Sequence, residues 1–399
     1  MMNNEVPVLW DEECLNSSIY KDMCNGISAA AAKKQRTTKV YTDCAKLMED
    51  ASSDRTVIVI GYESPRLRDN LLRLTGKKKQ VILAGLDAER FGSGISSTSP
   101  SRRGATAMLI QYLVACKKER IALVACGESS VNDLMRCEIL KGYLYTRGCP
   151  NPDDAIFFYR ERVNESFEAF WEKREIFDAV ICPNDYVALC FIRYCEEHGL
   201  RVPEDLYVAA FSNRTLSRYC KPSITSMSIN FVDVGECSYY AWEFLENHKM
   251  EDHQIHITTP SSLIVRESTA YEMEDHQIHI TTPSSLIVRE STAYEMHEMD
   301  TENAILLDAA HQGGPFYSEP VIANVMHVEN CLTQCDALNL KIIQGILNGE
   351  SYDSIEDRLF LSRSALNYRL KKIFTYAQTQ NRKEFESLFR HYFTKENNL

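Results

Sequence analysis

Polar side chains stand just past the ends of the chain's apolar runs. Asp11 and Glu12 follow residues 6–10, Tyr62 and Glu63 follow 56–61, and Glu128 follows 120–126. Tyr159 closes the run 155–159, Asn184 and Asp185 follow 179–182, and Ser212 and Asn213 follow 206–211. Carboxylates, amides, phenols and hydroxyls in these places are hydrogen-bonding groups for a small polar ligand. Any one of them can equally cap the helix that follows it. As a set they converge, because parallel strands bring their carboxyl ends to one crevice, where ligands of open α/β sheets bind. Nothing here points to bond-breaking chemistry. The chain has no nucleophile elbow, no P-loop, no GxGxxG and no HExxH, so neither an enzyme nor a cofactor is expected.

A second constellation lies near the carboxyl end. Arg358, Arg363, Arg369, Lys371, Lys372, Arg382 and Lys383 stand there without an intervening Asp or Glu, in a chain of net charge −12. A local basic island of this kind supplies the phosphate attraction that dominates nucleic-acid affinity. The surrounding pattern predicts paired helices. Ser351 caps a short helix to Leu359, Phe360-Leu361 turns the chain, and Ser362 caps a helix through Phe374 with Leu366, Leu370 and Ile373 inward. In a helix-turn-helix the exposed first turns of the second helix read base edges. Those positions are Arg363, Ser364 and Asn367, with Tyr368 beside them. Arg suits guanine and Asn suits adenine in the major groove. Lys371 and Lys372 are placed for phosphates, which position without specifying. The competing reading is a solvated basic helix in a small regulatory bundle.

Metal chemistry is not expected. Residues 250–272 and 273–295 are identical, MEDHQIHITTPSSLIVRESTAYE twice, and carry His253, His256, His276 and His279. Histidines three apart on a strand face opposite sides, and no further ligand completes a site. Two copies are too few for a repeat stack. One copy suffices for the closing strand and linker, and the other must insert as a loop, hairpin or unstructured segment. The 14 cysteines form no CxxC pair, and Cys331-x-x-x-Cys335 lacks a partner motif. Several, such as Cys126, Cys182, Cys190 and Cys195, sit in apolar runs as small hydrophobes.

The elements that must position these groups alternate. Strands are predicted at 6–10, 39–42, 56–61, 80–84, 120–126 and 155–159. Helices are predicted at 19–33, 65–74, 103–118, 133–146 and 165–174. Strand and helix in turn over this length imply doubly wound parallel sheets. A charged fraction of 25% and a hydrophobic fraction of 44% describe an ordinary globular protein. No run is long enough for a membrane helix, and the acidic start MMNNEVPVLWDEE has no signal-peptide pattern. A reduced, cytoplasmic protein is expected.

The stretch 179–213, with Asn184-Asp185 before its helix and Gly199-x-x-Val202-Pro203-Glu204-Asp205 before its second strand, resembles the effector domain of the lactose-repressor family. That family is itself related to the periplasmic sugar-binding proteins. RRGATAMLIQYLVACKKERIALVAC (102–126), Pro222-Ser223-Ile224-Thr225-Ser226 and residues 263–269 extend the resemblance over about 6–268. It implies an α/β fold of two Rossmann-like lobes, periplasmic-binding-protein-like type I, with crossovers near Arg102, Met227 and Ser261 and a ligand in the inter-lobe cleft. Two departures loosen the ligand class to a sugar or another metabolite. Ile139 stands where the family carries a ligand-gripping Arg, leaving Arg136 one turn earlier, and Ser212 stands where it carries Asp.

Residues 346–373 resemble a LuxR-type helix-turn-helix, with Asp357 and Ala365-Leu366 departing from the family's pattern. The organisation expected is a two-lobed sensor over 1–296 and an all-α helix-turn-helix domain over 330–399. Within the sensor, lobe 1 spans about 6–102 plus a closing segment, lobe 2 about 103–245, and the duplicate 250–295. A linker over 297–329 joins sensor and tail. By these resemblances the partners are operator DNA, a small-molecule effector and a second copy in a homodimer, with no membrane. In the lactose-repressor family the DNA-binding part precedes the sensor; here the order is reversed. The alternative is a cytoplasmic small-molecule-binding module whose helical tail binds protein.

Overall fold

The computed structural model describes residues 5–10, 18–50, 55–88, 91–92, 94–128, 130–248, 254–269, 279–281 and 319–393. They form two compact units. The first comprises the described residues within Met1–Arg102, Ile229–Ser261 and Thr281–Gln312, and the second those within Arg103–Ser228, Ser262–Ile280 and Gly313–Leu399.

The first unit holds β1 (Glu5–Trp10), α1 (Ser18–Lys33), β2 (Thr37–Tyr41), α2 (Cys44–Asp50), β3 (Thr56–Ile60), α3 (Pro65–Gly76), β4 (Gln80–Ala84) and β5 (Ile95–Pro100). Its sheet is six-stranded in the order β11-β5-β4-β3-β1-β2, where β11 is His256–Thr259. All its neighbours pair in parallel. Every residue of β3, TVIVI, is buried, as expected of a strand covered on both faces. The helix α9 (Phe231–Asn247) packs on α1 closely enough that only glycine fits. A Cβ on Gly26 would lie 2.0 Å from the Val232 carbonyl oxygen, and one on Gly235 would lie 2.0 Å from that of Met23. The Trp242 indole then donates to the Thr56 carbonyl at 3.1 Å.

β5 has no apolar signature. Its sequence ISSTSP is nonetheless wholly buried, because its hydroxyls are satisfied inside. Ser96 accepts from the Ile255 amide at 3.0 Å, Ser97 meets His256 Nδ1 at 2.9 Å, and Thr98 bonds Ser238. No hydrophobic period announces this strand, and it is absent from the elements that the sequence predicts.

The second unit begins with α4 (Arg102–Ala115), whose first residue lies at the unit boundary. There follow β6 (Ile121–Gly127), α5 (Val131–Thr146), β7 (Ile156–Tyr159), α6 (Val163–Lys173), β8 (Ala179–Ile181), α7 (Asp185–Glu197), β9 (Tyr207–Phe211), α8 (Leu216–Tyr219) and β10 (Thr225–Ile229). Its sheet has seven strands, β13-β12-β10-β9-β8-β6-β7, with β12 at Ser261–Ile264 and β13 at His279–Thr281. The run from β10 to β7 is parallel throughout. Gly199, at φ +83, supplies the left-handed residue that ends α7.

The closing strand is shorter than 263–269. It stops at Ile264, and Glu267–Thr269 winds into a 3-10 turn. The reason is local: Ser268 Oγ accepts from the Thr225 amide at 2.8 Å and donates to the Val208 carbonyl at 2.6 Å, so a side chain takes over where the ladder would run. The first repeat copy supplies β11 and β12. From the second, β13 is described and the remainder lies outside the described residues.

The second unit also holds α10 (Pro320–Gln334), α11 (Ala337–Leu347), α12 (Tyr352–Leu359), α13 (Arg363–Tyr376) and α14 (Arg382–Tyr392). One buried cluster runs from the sheet into these helices, joining Phe191, Ile192 and Leu216 to Ile322, Val325, Val328, Leu366 and Phe389. No helix among the described residues is long and apolar enough to cross a membrane.

Candidate functional site

The parallel strands of the second unit deliver their carboxyl ends to one edge of its sheet. After β8, Asn184 acts as the cap of α7, its Oδ1 accepting from the Val187 amide at 3.0 Å. Asp185, the first residue of α7, is completely buried. Its Oδ2 accepts from the Arg214 amide at 2.6 Å, and its Oδ1 is buried without a hydrogen-bond partner. Burial pushes its carboxyl up to about 6, against the pull of the Arg214 amide, the Ser226 hydroxyl and the charges of Arg214 and Arg266.

After β9 the backbone is strained. Ser212 stands at φ +100 and Asn213 at φ +47, a region that non-glycine residues avoid. Hydrogen bonds over-determine the turn. The Ser212 amide donates to the Met227 carbonyl at 2.9 Å, and the Asn213 amide to Ser226 Oγ at 2.9 Å. Asn213 Nδ2 donates to Ser228 Oγ at 3.2 Å. Arg266 donates at 2.6 Å both to Asn213 Oδ1 and to the Ile224 carbonyl. Burial lowers the Arg266 guanidinium below its ordinary range.

Near the end of β6, Ala125 is left-handed at φ +60 and the register with β7 shifts there. The Gly127 amide donates to Asp133 Oδ2 at 3.1 Å, and the other Asp133 oxygen pairs with Arg136. Asp133 and Arg136 are both buried. The Arg136 guanidinium lies 4.3 Å above the Phe211 ring, the residue before Ser212, and its Nε is buried without a partner. Tyr159 stands beside Gly127: a Cβ there would lie 3.4 Å from the phenol oxygen. Glu128 points outward in an exposed pair with Arg160 at 3.5 Å, worth little in water.

Asp185, Ser212, Asn213, Arg136 and Tyr159 therefore occupy one sheet edge, Asn184 caps a helix beside them, and Glu128 lies on the surface. Asp133, Arg214 and Arg266 belong to the same constellation, but nothing in the sequence singles them out. Asp133 is a helix-start acid like many others, and Arg266 stands 53 residues from its partner Asn213.

In the first unit, Tyr62 packs half-buried against the cluster that includes Trp10, and Glu63 pairs with Arg68. Trp10 ends β1 with its indole nitrogen buried and unpartnered. Asp11 and Glu12 lie outside the described residues, as do His253 and His276. His256 bonds Ser97, and no group of three metal-ligating side chains occurs among the described residues.

The tail has the turn geometry that its sequence predicts. Ser351 caps α12, Phe360 ends it in the left-handed conformation at φ +53, and Ser362 caps α13 by accepting from the Ala365 amide at 3.3 Å. Leu366, Leu370 and Ile373 are buried, while Ser364, Asn367, Tyr368, Lys371 and Lys372 are exposed. Lys372 Nζ lies 4.7 Å from the centre of the Tyr368 ring. That contact raises the Lys372 ammonium and lowers the Tyr368 phenol.

The basic island is less bare than the sequence implied. Carboxylates from outside the stretch fold onto its arginines. Arg363 pairs with Asp353, and with Glu356 at 2.8 Å. Arg369 pairs with Asp336 at 2.8 Å, Arg358 with Glu350 at 3.0 Å and Arg382 with Glu386 at 2.6 Å.

Known proteins resemble this chain over its α/β part. A family model for the periplasmic binding protein-like domain matches residues 110–269. The HTH-type transcriptional repressor PurR of Vibrio atlanticus is 33% identical over 262 residues, 64% of this chain and 73% of the relative. The NTD biosynthesis operon regulator NtdR of Bacillus subtilis is 28% identical over 141 residues, 34% of this chain and 43% of its own length, so the chain spans less than half of that relative. Among solved structures, a complex of the transcriptional regulator CelR with cellobiose superimposes with a TM-score of 0.53 at 17% identity, covering 66% of this chain and 84% of that one. This last likeness is one of fold.

Proposed function

The chain belongs to the lactose-repressor family of transcriptional regulators with a periplasmic-binding-protein-like sensor domain, and from that premise we propose that it is a ligand-responsive transcription regulator acting in the cytoplasm. The family resemblance implies that a small molecule is held in the cleft between the two lobes. In lobe 2 it meets the sheet edge that carries Asp185, Asn213, Arg136 and Tyr159; in lobe 1 the residues expected from the sequence are Tyr62, Glu63, Asp11 and Glu12, the last two outside the described residues. The LuxR-type helix-turn-helix of the tail binds operator DNA, with Arg363, Ser364 and Asn367 at base edges and Lys371 and Lys372 on phosphates. The chain works as a homodimer, and closure of the sensor alters the spacing of two tails. The domain division of this reading is sensor first, DNA-binding tail last.

The observation that carries the ligand reading is Asp185. A fully buried carboxylate with one oxygen unpartnered, beside a strained turn held by Arg266, is an arrangement retained for binding rather than for stability. Ser212 in place of a carboxylate, and Arg136 already paired with Asp133, favour a ligand with fewer hydroxyls to grip than a hexose. Calorimetric titration of the full chain with a panel of sugars, nucleobases and amino acids tests it. Binding that Asp185→Asn weakens at least tenfold supports the reading, and absence of binding across the panel by a folded chain counts against it.

The second reading, a tail that binds protein, is favoured by one finding: Arg358, Arg363, Arg369 and Arg382 already have carboxylate partners. Titration with random duplex DNA at low salt separates the two, since a DNA-binding tail binds without sequence preference there.

A further inference from the structure

We propose that Glu329 is a positioning residue through which the tail holds, and responds to, the ligand edge of the sensor. This rests on the reading of that edge as the ligand site. Glu329 lies on α10 and is buried. Its two carboxylate oxygens accept from consecutive amides of another element, Oε1 from Thr215 at 2.9 Å and Oε2 from Leu216 at 2.7 Å. Thr333, one turn along α10, donates its hydroxyl to Glu329 Oε1 at 3.2 Å and lies 3.3 Å from Thr215 Oγ1.

The amide immediately before this pair is that of Arg214, which Asp185 holds at 2.6 Å. Three consecutive amides, 214 to 216, are thus gripped by two buried carboxylates, one from the ligand edge and one from the tail. The strained residues Ser212 and Asn213 lie directly upstream. A ligand that takes over the free oxygen of Asp185, or moves Asn213, shifts this segment, and the segment cannot shift without disturbing Glu329.

The far side of α10 touches α13. Asn330 Nδ2 donates to the Tyr376 carbonyl at 3.0 Å, and Cys331 Sγ–H points to the Ile373 carbonyl at 3.6 Å. Glu329, Asn330 and Cys331 are consecutive, so one turn of α10 faces the sensor segment on one side and the last turns of α13 on the other. A bidentate carboxylate suits this role because it fixes both position and orientation of the segment. Glutamine at 329 keeps the length but offers one acceptor, and turns its amide group towards an N–H it cannot receive.

The test needs neither ligand nor operator, so it can fail independently of the ligand reading, which calorimetry checks. Amide hydrogen exchange is measured on the full chain for the wild type, Asp185→Asn, Glu329→Gln and the double variant. In the wild-type background Asp185→Asn should speed exchange both at residues 214–219 and in α10 and α13, by about fivefold or more, the size of an ordinary coupling. In the Glu329→Gln background its effect on α13 should vanish while its effect on 214–219 remains. An α13 response that is equal in both backgrounds, or absent in both, overturns the proposal. Asn213→Ala, which removes the contacts to Ser228 and Arg266 instead, runs the same cycle if Asp185→Asn fails to fold.

Discussion

The Asp185 carboxylate accepts the Arg214 amide at 2.6 Å with one oxygen and buries the other without a partner. Because desolvation dominates, its folded-state carboxyl titrates near 6 rather than near the ordinary 3.8. The folded protein therefore binds this proton more tightly than the unfolded chain does. The stability it contributes is fully present below the unfolded value and is lost as pH rises through about 6. Urea unfolding should show the wild type losing up to about 3 kcal/mol relative to Asp185→Asn between pH 4 and 7, since each tenfold difference in proton affinity is worth about 1.4 kcal/mol. Parallel pH profiles for the two proteins would show that the buried carboxylate is not charged at a cost.

Arg266 should matter more than its place just past a short strand suggests. It donates to Asn213 Oδ1 and to the Ile224 carbonyl, both at 2.6 Å. Arg266→Ala leaves those acceptors unpaired and should cost about 2–3 kcal/mol in chemical denaturation. Arg266→Lys should recover less than half of that, since an ammonium cannot span two acceptors as the guanidinium fork does. Full rescue by Lys would mean that charge, not geometry, is what the turn requires.

The crossing of α1 and α9 leaves no room for a methyl group. Alanine at Gly26 or at Gly235 would bring Cβ to 2.0 Å from a backbone oxygen of the facing helix. Separation of the helices should outweigh the gain in helix propensity and leave a net loss of about 2 kcal/mol for each substitution. Thermal melts of the two single variants check this, and an unchanged or raised midpoint would contradict so close a contact.

In the tail, Asp353 and Glu356 compete with DNA for Arg363. Asp353→Asn together with Glu356→Gln should free the guanidinium and raise affinity for duplex DNA by about tenfold, one good charge contact's worth. Fluorescence anisotropy at fixed salt reads this. Arg363→Ala with Asn367→Ala should instead remove discrimination between sequences while leaving low-salt binding in place.

How far the sequence carried depended on the kind of force at each element. Runs such as TVIVI and IALVACG announce strands covered on both faces, and Gln80–Ala84 begins and ends as its apolar pattern implies. β5 escaped because serine and threonine hydroxyls satisfy one another inside, which no hydrophobic period reveals. At the candidate site Tyr159, Asp185, Ser212 and Asn213 were legible as strand-end residues because chain order alone places them there, whereas Glu128 turns outward. Arg214, Arg266 and Glu329 were not legible, since each acts through a partner made near only by folding, and Asp133 reads in the sequence as an ordinary helix-start acid. The basic island misled in the same way: a stretch without acids in sequence gathers Asp336, Glu350 and Asp353 in space.

Titration of the full chain with random duplex DNA across a range of salt concentrations tests the central claim most directly. A regulator whose tail uses Lys371 and Lys372 should bind at low salt, with log affinity falling linearly in log salt. The slope should drop by about 1 for each lysine changed to alanine. Failure of the folded chain to bind DNA at low salt, or binding that both lysine variants leave untouched, would contradict it.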